Sequence, residues 1–268
     1  MRLFDCHAHY QDEQFKEKFE GGVSAVLGEV LAPGSGVVGI LNAATDLPSC
    51  EATLALARAY PGVYAAVGIH PEDCGKYDVS EIPAVMEKLK SYCLDPKVLA
   101  IGEIGLDYYW EENPPRETQK AWFEAQLTLA EELDLPVVIH DREAHGDTYE
   151  AVLRHPRLRG MMHSYSGSGE IAKELLKRGW YLSFSGVITF KNAVKPAEVL
   201  KIVPPERLLT ETDCPYLAPV PMRGKPNRSD YMHFTLEKEA EILGVDPGAL
   251  AARTLRNAEA LFGIPLAE

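Results

Sequence analysis

Eight short apolar runs rich in β-branched residues recur along the 268-residue chain: Arg2–His7, Val37–Asn42, Val63–His70, Val98–Glu103, Pro136–His140, Gly160–His163, Trp180–Ser185 and Arg207–Asp213. Runs of that length bounded by polar residues read as buried strands. Helical stretches lie between them. Glu51–Tyr60 is rich in Ala and Leu, and Arg116–Leu133 places Trp122, Leu129 and Leu133 on one face. Asn113-Pro114 is expected to cap that second helix and fill its first turn. Glu170–Arg178 and Glu198–Val203 supply two more, and Tyr231–Phe262 reads as two final helices, the second opened by Asp246-Pro247. Strands alternating with helices predict a parallel sheet. Eight such units, with no linker-like composition between them, predict one (β/α)8 barrel over residues 1–268, since about 250 residues is typical of that fold. A doubly wound open sheet is the competing architecture, and it requires a topological switch point.

The run ends decide between them. They close on His7 with His9, Asn42, His70, Glu103, His140, His163, Ser185 and Asp213. In a parallel barrel all of these emerge at the C-terminal rim, where such barrels build their active sites. An open sheet would concentrate polar residues at its switch point, and here nearly every strand carries one.

Four of those histidines and two of those acids form a metal-ligand inventory. His7-Ala8-His9 sets two imidazoles on one side of an extended chain, because strand side chains repeat every two residues. Adding Glu103, His140, His163 and Asp213 exceeds one catalytic tetrahedral site, which takes three protein ligands and a water. The set suits two divalent ions about 3.5–4 Å apart, sharing a carboxylate and a hydroxide. Nitrogen and oxygen donors without thiolate fit zinc, manganese, iron or magnesium. Leaving so many ionisable groups buried without cations would be costly. His70, in Gly68-Ile69-His70-Pro71, is expected to orient substrate or a bound water. His145, His155 and His233 fall in helical or loop segments and read as structural or exposed. Cys6 and Cys214 flank ligands without a base partner and read as small packing residues.

Composition narrows the class. With 27 basic and 40 acidic side chains the net charge is −13, which opposes a broad nucleic-acid-coating surface. It leaves room for an enzyme that grips a few phosphates through metals and a local basic rim. Five scattered cysteines without a CxxC pair indicate neither a disulfide framework nor a zinc finger. No apolar run reaches membrane-spanning length, and the start carries an acid and a histidine where a signal peptide needs apolar residues. The expectation is a soluble, cytoplasmic protein with no obligate protein partner.

The segments around these residues resemble the TatD family of metal-dependent hydrolases, amidohydrolase-like barrels known mainly as DNases. The matching blocks are Asp5-Cys6-His7-Ala8-His9, Gly68-Ile69-His70-Pro71, Ile101–Tyr108, Ile139–Ala144, His163–Gly167, Ser183–Ala193 and Glu211–Pro219, followed by Arg223–Asn227. They run in order from residue 2 to the end of the chain. The resemblance implies that His7, His9 and Asp213 hold a first metal, that Glu103 bridges, and that His140 with His163 holds a second. One departure is visible: after Arg223-Gly224-Lys225 the family usually reads Arg-Asn-Glu-Pro, and this chain has Pro226-Asn227-Arg228-Ser229. The fold of the 221–230 loop is therefore open.

Chemistry follows from the inventory. Two divalent cations lower the pKa of a shared water and neutralise a phosphodiester oxygen. Asp213 is expected to take the water's proton, and Asp213 and Glu103 are the expected catalytic carboxylates. Arg142 leaves its strand on the side of His140 and suits a phosphate clamp, aided by Arg223, Lys225 and Arg228. Tyr108, with Tyr109, Trp110 and Tyr165, is placed to stack on bases. Three functions compete. The first is a nuclease trimming DNA at single-stranded regions or strand ends, and the second a hydrolase of a smaller ester or amide such as D-aminoacyl-tRNA. The third is a catalytically silent binding barrel. The cationic cluster and the tyrosines favour the nuclease, the net charge favours a small substrate, and a complete ligand set disfavours the silent barrel.

Overall fold

The computed structural model describes residues 1–266. Its strands are β1 (Leu3–Ala8), β2 (Val37–Ala43), β3 (Val63–Val67), β4 (Val98–Asp107), β5 (Val137–Arg142), β6 (Gly160–Met162), β7 (Tyr181–Phe184) and β8 (Leu208–Thr210). All neighbours pair in parallel, in sequence order. The chain behind β8 returns to β1: Asp213 N–H donates to His7 O at 2.9 Å, and His9 N–H to Cys214 O at 2.7 Å. These bonds close the sheet into the expected (β/α)8 barrel.

The helices are α1 (Gln14–Lys18), α2 (Gly22–Val30), α3 (Leu47–Ala59), α4 (Ile82–Tyr92), α5 (Arg116–Leu133), α6 (His145–Arg154), α7 (Gly169–Lys177), α8 (Val194–Leu200), α9 (Met232–Leu243) and α10 (Pro247–Phe262). Helix α3 starts a turn earlier than its Ala/Leu-rich stretch because Asp46 accepts from Ser49 N–H while Ser49 Oγ accepts from Asp46 N–H. Asp246 caps α10 in the expected way, accepting from Ala249 N–H. The expected cap of α5 is not at Asn113-Pro114. Pro115 holds the N-cap position without a side-chain bond, and Asn113 instead donates to Asp107 O. Helix α8 lies earlier than Glu198–Val203, with Pro196 accommodated in its first turn. Among the described residues no helix is long and apolar enough to cross a membrane.

Two apolar layers hold the barrel. One residue from each strand (Phe4, Leu41, Ala66, Ala100, Val138, Met161, Tyr181 and Leu209) joins a single cluster with Leu255 and Phe262 of α10. These side chains alternate along the strands with those that face the helices, so they fill the barrel interior. The second cluster joins Ile40, Ala65, Ile101, Val137 and Leu182 to helix residues such as Leu27, Leu54, Leu89, Trp122 and Phe123. Burial on both faces explains why the strands read as nearly continuous apolar runs.

Strand lengths set where the polar ends stand. His163 and Ser185 follow β6 and β7 by one residue, whereas β3 and β8 stop early and leave His70 and Asp213 on the loops beyond. Conversely β4 runs past Glu103 to Asp107, which pairs with Arg142 at the end of β5. Gly105 makes this possible: with φ at +146°, a Cβ there would lie 1.9 Å from His140 O. Glycine alone lets β4 approach β5 this closely.

Candidate metal centre

The strand ends converge on one buried point. His7 and His9 bring their Nε2 atoms within 3.0 Å of each other. Glu103 Oε2 lies 3.2 Å from the first and 3.3 Å from the second. Asp213 Oδ1 lies 3.6 and 3.3 Å from the same two atoms. Asp213 adopts φ of +60°, a costly conformation for a residue with a side chain, and the bond from its N–H to His7 O holds it there. His9 Nδ1 donates to Ala43 O at 2.8 Å, which leaves the Nε2 lone pair facing the cluster.

The other oxygen of Glu103 meets a different group. Oε1 lies 2.8 Å from His163 Nε2 and 2.9 Å from His140 Nδ1, and those two nitrogens are 3.2 Å apart. Behind each ring stands a second carboxylate. Asp107 Oδ2 accepts from His140 Nε2 at 3.0 Å, and Glu211 Oε1 from His163 Nδ1 at 3.2 Å. Glu211 is itself fully buried and accepts from Ser183 Oγ. Such carboxylate–imidazole pairs fix ring orientation and raise ligand basicity. Sequence patterning assigns no role to Asp107 or Glu211. The available signal is an acid two residues before Asp213 and another four residues after Glu103, and neither offset says which way a side chain turns.

Electrostatics follow from the crowding. Burial alone would raise the Glu103 pKa, but His163, His7, His70 and the bond from His140 hold it well below the carboxylate range. Burial opposes ionisation of Asp213 as well, and its bond with His9 and the nearby His163 outweigh that effect and lower its pKa. Among protein atoms, burial works against a charged His9, and Asp213 with Glu103 overrides it to bring the ring to about 10. His140 rises to about 9 despite burial because Asp107 and Glu103 accept from both its nitrogens. His7 goes the other way, lowered by burial and by His163. Its Nδ1 is buried without a hydrogen-bond partner, so its polar contacts all run through Nε2.

Donors of this kind fit divalent ions. A tetrahedral shell with metal–ligand distances of about 2.1 Å puts its donors about 3.4 Å apart. The His7–His9–Glu103–Asp213 contacts, at 3.0 to 3.6 Å, match that spacing. Metal binding would displace the protons that these carboxylates otherwise hold on the rings.

His70 sits at the edge, its Nε2 3.5 Å from Glu103 Oε1. Its Nδ1 accepts from Glu72 N–H at 3.2 Å. In a neutral ring Nε2 then carries the proton and is a donor toward the cleft rather than a lone-pair ligand.

A cleft of about 1000 Å³ opens above these residues, with Arg142, Trp110 and Tyr165 in its wall. Three expected substrate contacts stand elsewhere. Tyr108 donates to Asp147 Oδ2 at 2.7 Å and carries the Arg116 guanidinium over one ring face, and it lies outside the cleft wall. Val220 N–H is tied to Thr189 Oγ1, which turns Arg223 onto the Phe190 ring at 3.8 Å. Lys225 is exposed and lies outside the cleft wall. Arg228 is bound by Asp230 and Glu29, and the Tyr165 hydroxyl by Ser168 O. The 221–230 loop is pinned by fully buried Asn227, whose Nδ2 donates to Thr212 O and Tyr216 O. His145, His155 and His233 make local contacts to Asp141, Glu124 and Asp230 O. Cys6 and Cys214 are buried, and burial pushes both thiols up, as packing residues require.

Comparison with known proteins decides the family. Residues 4–263 match the model of the TatD-related DNases. The chain belongs to that family. A Bacillus subtilis relative, an uncharacterized metal-dependent hydrolase named YabD, is 39% identical, the alignment covering 98% of this chain and 99% of that one. A 3'-5' ssDNA/RNA exonuclease TatD of Citrobacter rodentium is 35% identical over 98% of this chain and 99% of its own. The crystal structure of the TatD homolog YjjV of Escherichia coli superposes with a TM-score of 0.88 at 31% identity, covering 98% of this chain and 99% of that one. This TatD-family barrel is a metal-dependent hydrolase, and its His, Glu and Asp clusters offer the donors for the metal.

Proposed function

We propose that this hydrolase cleaves phosphodiester bonds at the ends of single-stranded DNA. The observation that carries the reading is Glu103, whose two oxygens face two separate sets of nitrogen and oxygen donors beside a cleft that carries a guanidinium. His7, His9 and Asp213 would hold one divalent ion, His140 and His163 a second, and Glu103 both. Bound ions of this kind lower the pKa of water and neutralise a phosphoryl oxygen. Asp213, ionised and partly open to the cleft, accepts the proton of the attacking water. His70 donates from Nε2 to an oxygen of the reacting phosphate. Arg142 takes the neighbouring phosphate with its two-pronged guanidinium. Asp107 and Glu211 keep the His140 and His163 rings from turning. The Citrobacter relative's name agrees with this substrate class.

A second reading has its own observation. Asp12, Glu13 and Glu72 line the same cleft, and acids attract an ammonium group. An aminoacyl ester such as D-aminoacyl-tRNA carries one. The deciding experiment sets the metal-reconstituted protein against a 3′-labelled single-stranded oligonucleotide, a 5′-labelled one and a D-aminoacyl-tRNA. Mononucleotide release from the oligonucleotides is expected. Loss of the aminoacyl group alone, with both oligonucleotides intact, overturns the nuclease reading.

A further inference from the structure

The mouth of the cleft is unequal on its two sides. Behind β1 and β3 its wall carries Asp12, Glu13 and Glu72. Behind β4 and β5 stand Tyr109, Trp110 and Arg142, with the guanidinium 3.9 Å over the Tyr109 ring and 5.3 Å from Trp110, while Asp141, the acid lining that side, is engaged by His145. The two aromatic rings meet edge to face, centroids 4.7 Å apart, and are 51% and 44% exposed. Two exposed rings in contact beside the cleft offer an apolar face to a planar ligand. The chain's other tryptophans, Trp122 and Trp180, are buried.

This aromatic pair is tied to the reacting centre. Asp107 accepts from Tyr109 N–H through Oδ1 at 2.9 Å and from His140 through Oδ2. Tyr108 N–H donates to Arg142 O at 2.9 Å. One carboxylate and one strand pairing thus anchor the backbone of Tyr109 and Arg142 beside His140. A planar aromatic face beside a guanidinium is the combination that takes a nucleobase and its phosphate without regard to sequence.

We infer that Trp110, with Tyr109 and Arg142, is the platform on which the nucleotides behind the scissile phosphate stack, and that the acidic wall opposite denies passage to a continuing strand. The inference rests on the phosphodiesterase reading above. It makes Trp110 a specificity-determining residue and ties action at strand ends to charge on one side of the rim.

The test compares Trp110→Ala and Trp110→Phe with the parent protein on two substrates: an oligothymidylate of about ten nucleotides and the p-nitrophenyl ester of thymidine 5′-phosphate. Trp110→Ala is expected to cut the preference for the oligonucleotide about tenfold through KM, equivalent to about 1.4 kcal/mol. Trp110→Phe is expected to keep most of that preference. Emission from the exposed tryptophan is expected to fall as the oligonucleotide is titrated in. A single-stranded circle is expected to resist cleavage. An unchanged preference in Trp110→Ala, or unchanged emission at saturating oligonucleotide, removes the platform, and cleavage of the circle removes the barrier. Failure of the parent protein on both phosphodiesters overturns the phosphodiesterase reading instead, and the emission titration then still decides whether the platform binds single strands.

Discussion

Two groups of carboxylates lie close together in this barrel, and their pKa values are pushed in opposite directions. Glu103 and Asp213 are ringed by imidazoles, which keep their pKa values below the usual carboxylate range despite burial. Asp5 and Glu239 are fully buried, as Glu103 nearly is, but meet mainly hydroxyl groups. Burial lifts Asp5 to about 7 even though Ser229 and Thr212 bond to it. Burial, with Glu211 nearby, pushes Glu239 well above its usual range although Thr210 donates to it. Position in the core therefore does not decide whether an acid is charged. Neighbouring imidazoles do, and only the first group can serve as metal ligand or base.

The strongest way to break this contrast is Asp213→Asn, which keeps the shape and removes the charge. It is expected to lower kcat by about 10³-fold or more while circular dichroism and melting stay near the parent, since a lost general base alone costs about 10²–10⁴. Turnover within tenfold of the parent would take Asp213 out of the chemistry.

Glu211 stands between the two groups, with Oε1 on His163 and Oε2 accepting from Ser183. Glu211→Gln is expected to weaken metal binding by about 10–100-fold, the usual effect of removing a carboxylate behind an imidazole ligand. Calorimetric metal titration reads this directly. Affinity equal to the parent's would make Glu211 part of the packing alone.

The contrast also separates the residues that sequence patterning can place from those it cannot. Strand ends are legible because a polar residue closing an apolar run in a parallel barrel has one rim to point to. His7, His9, Glu103, His140, His163 and Asp213 all obey that rule, even where β8 stops short of Asp213. Asp107 and Glu211 escape it, because their roles depend on β4 continuing beside β5 and on the chain turning sharply at Asp213. Both are tertiary facts. Tyr108, Arg223 and Lys225 are hard to place for the opposite reason. Their chemistry suits a phosphate or a base, but charge and aromaticity in a loop carry no direction, and Asp147 and Phe190 claim the first two.

The smallest effect tests the quiet side of the comparison. A carboxyl whose pKa is higher in the folded protein than in the unfolded chain keeps a proton that unfolding releases. Stability then falls as pH rises through the window between the two values. Glu239 belongs to this class, whereas Glu103 and Asp213 lose stability in the other direction, on acidification below the usual carboxylate range. Glu239→Gln removes the titration and keeps an acceptor for Thr210, whose hydroxyl lies 2.6 Å from Oε2. At pH 5 the variant should match the parent closely. At pH 8 it should be more stable, by up to about 1.4 kcal/mol for each pH unit of that window crossed. Urea unfolding of both proteins at the two pH values measures the difference, and the histidine contributions common to both cancel. An equal gap at pH 5 and pH 8 would mean that Glu239 titrates as an ordinary acid, and the division between charged and neutral carboxylates would then rest on Asp5 alone.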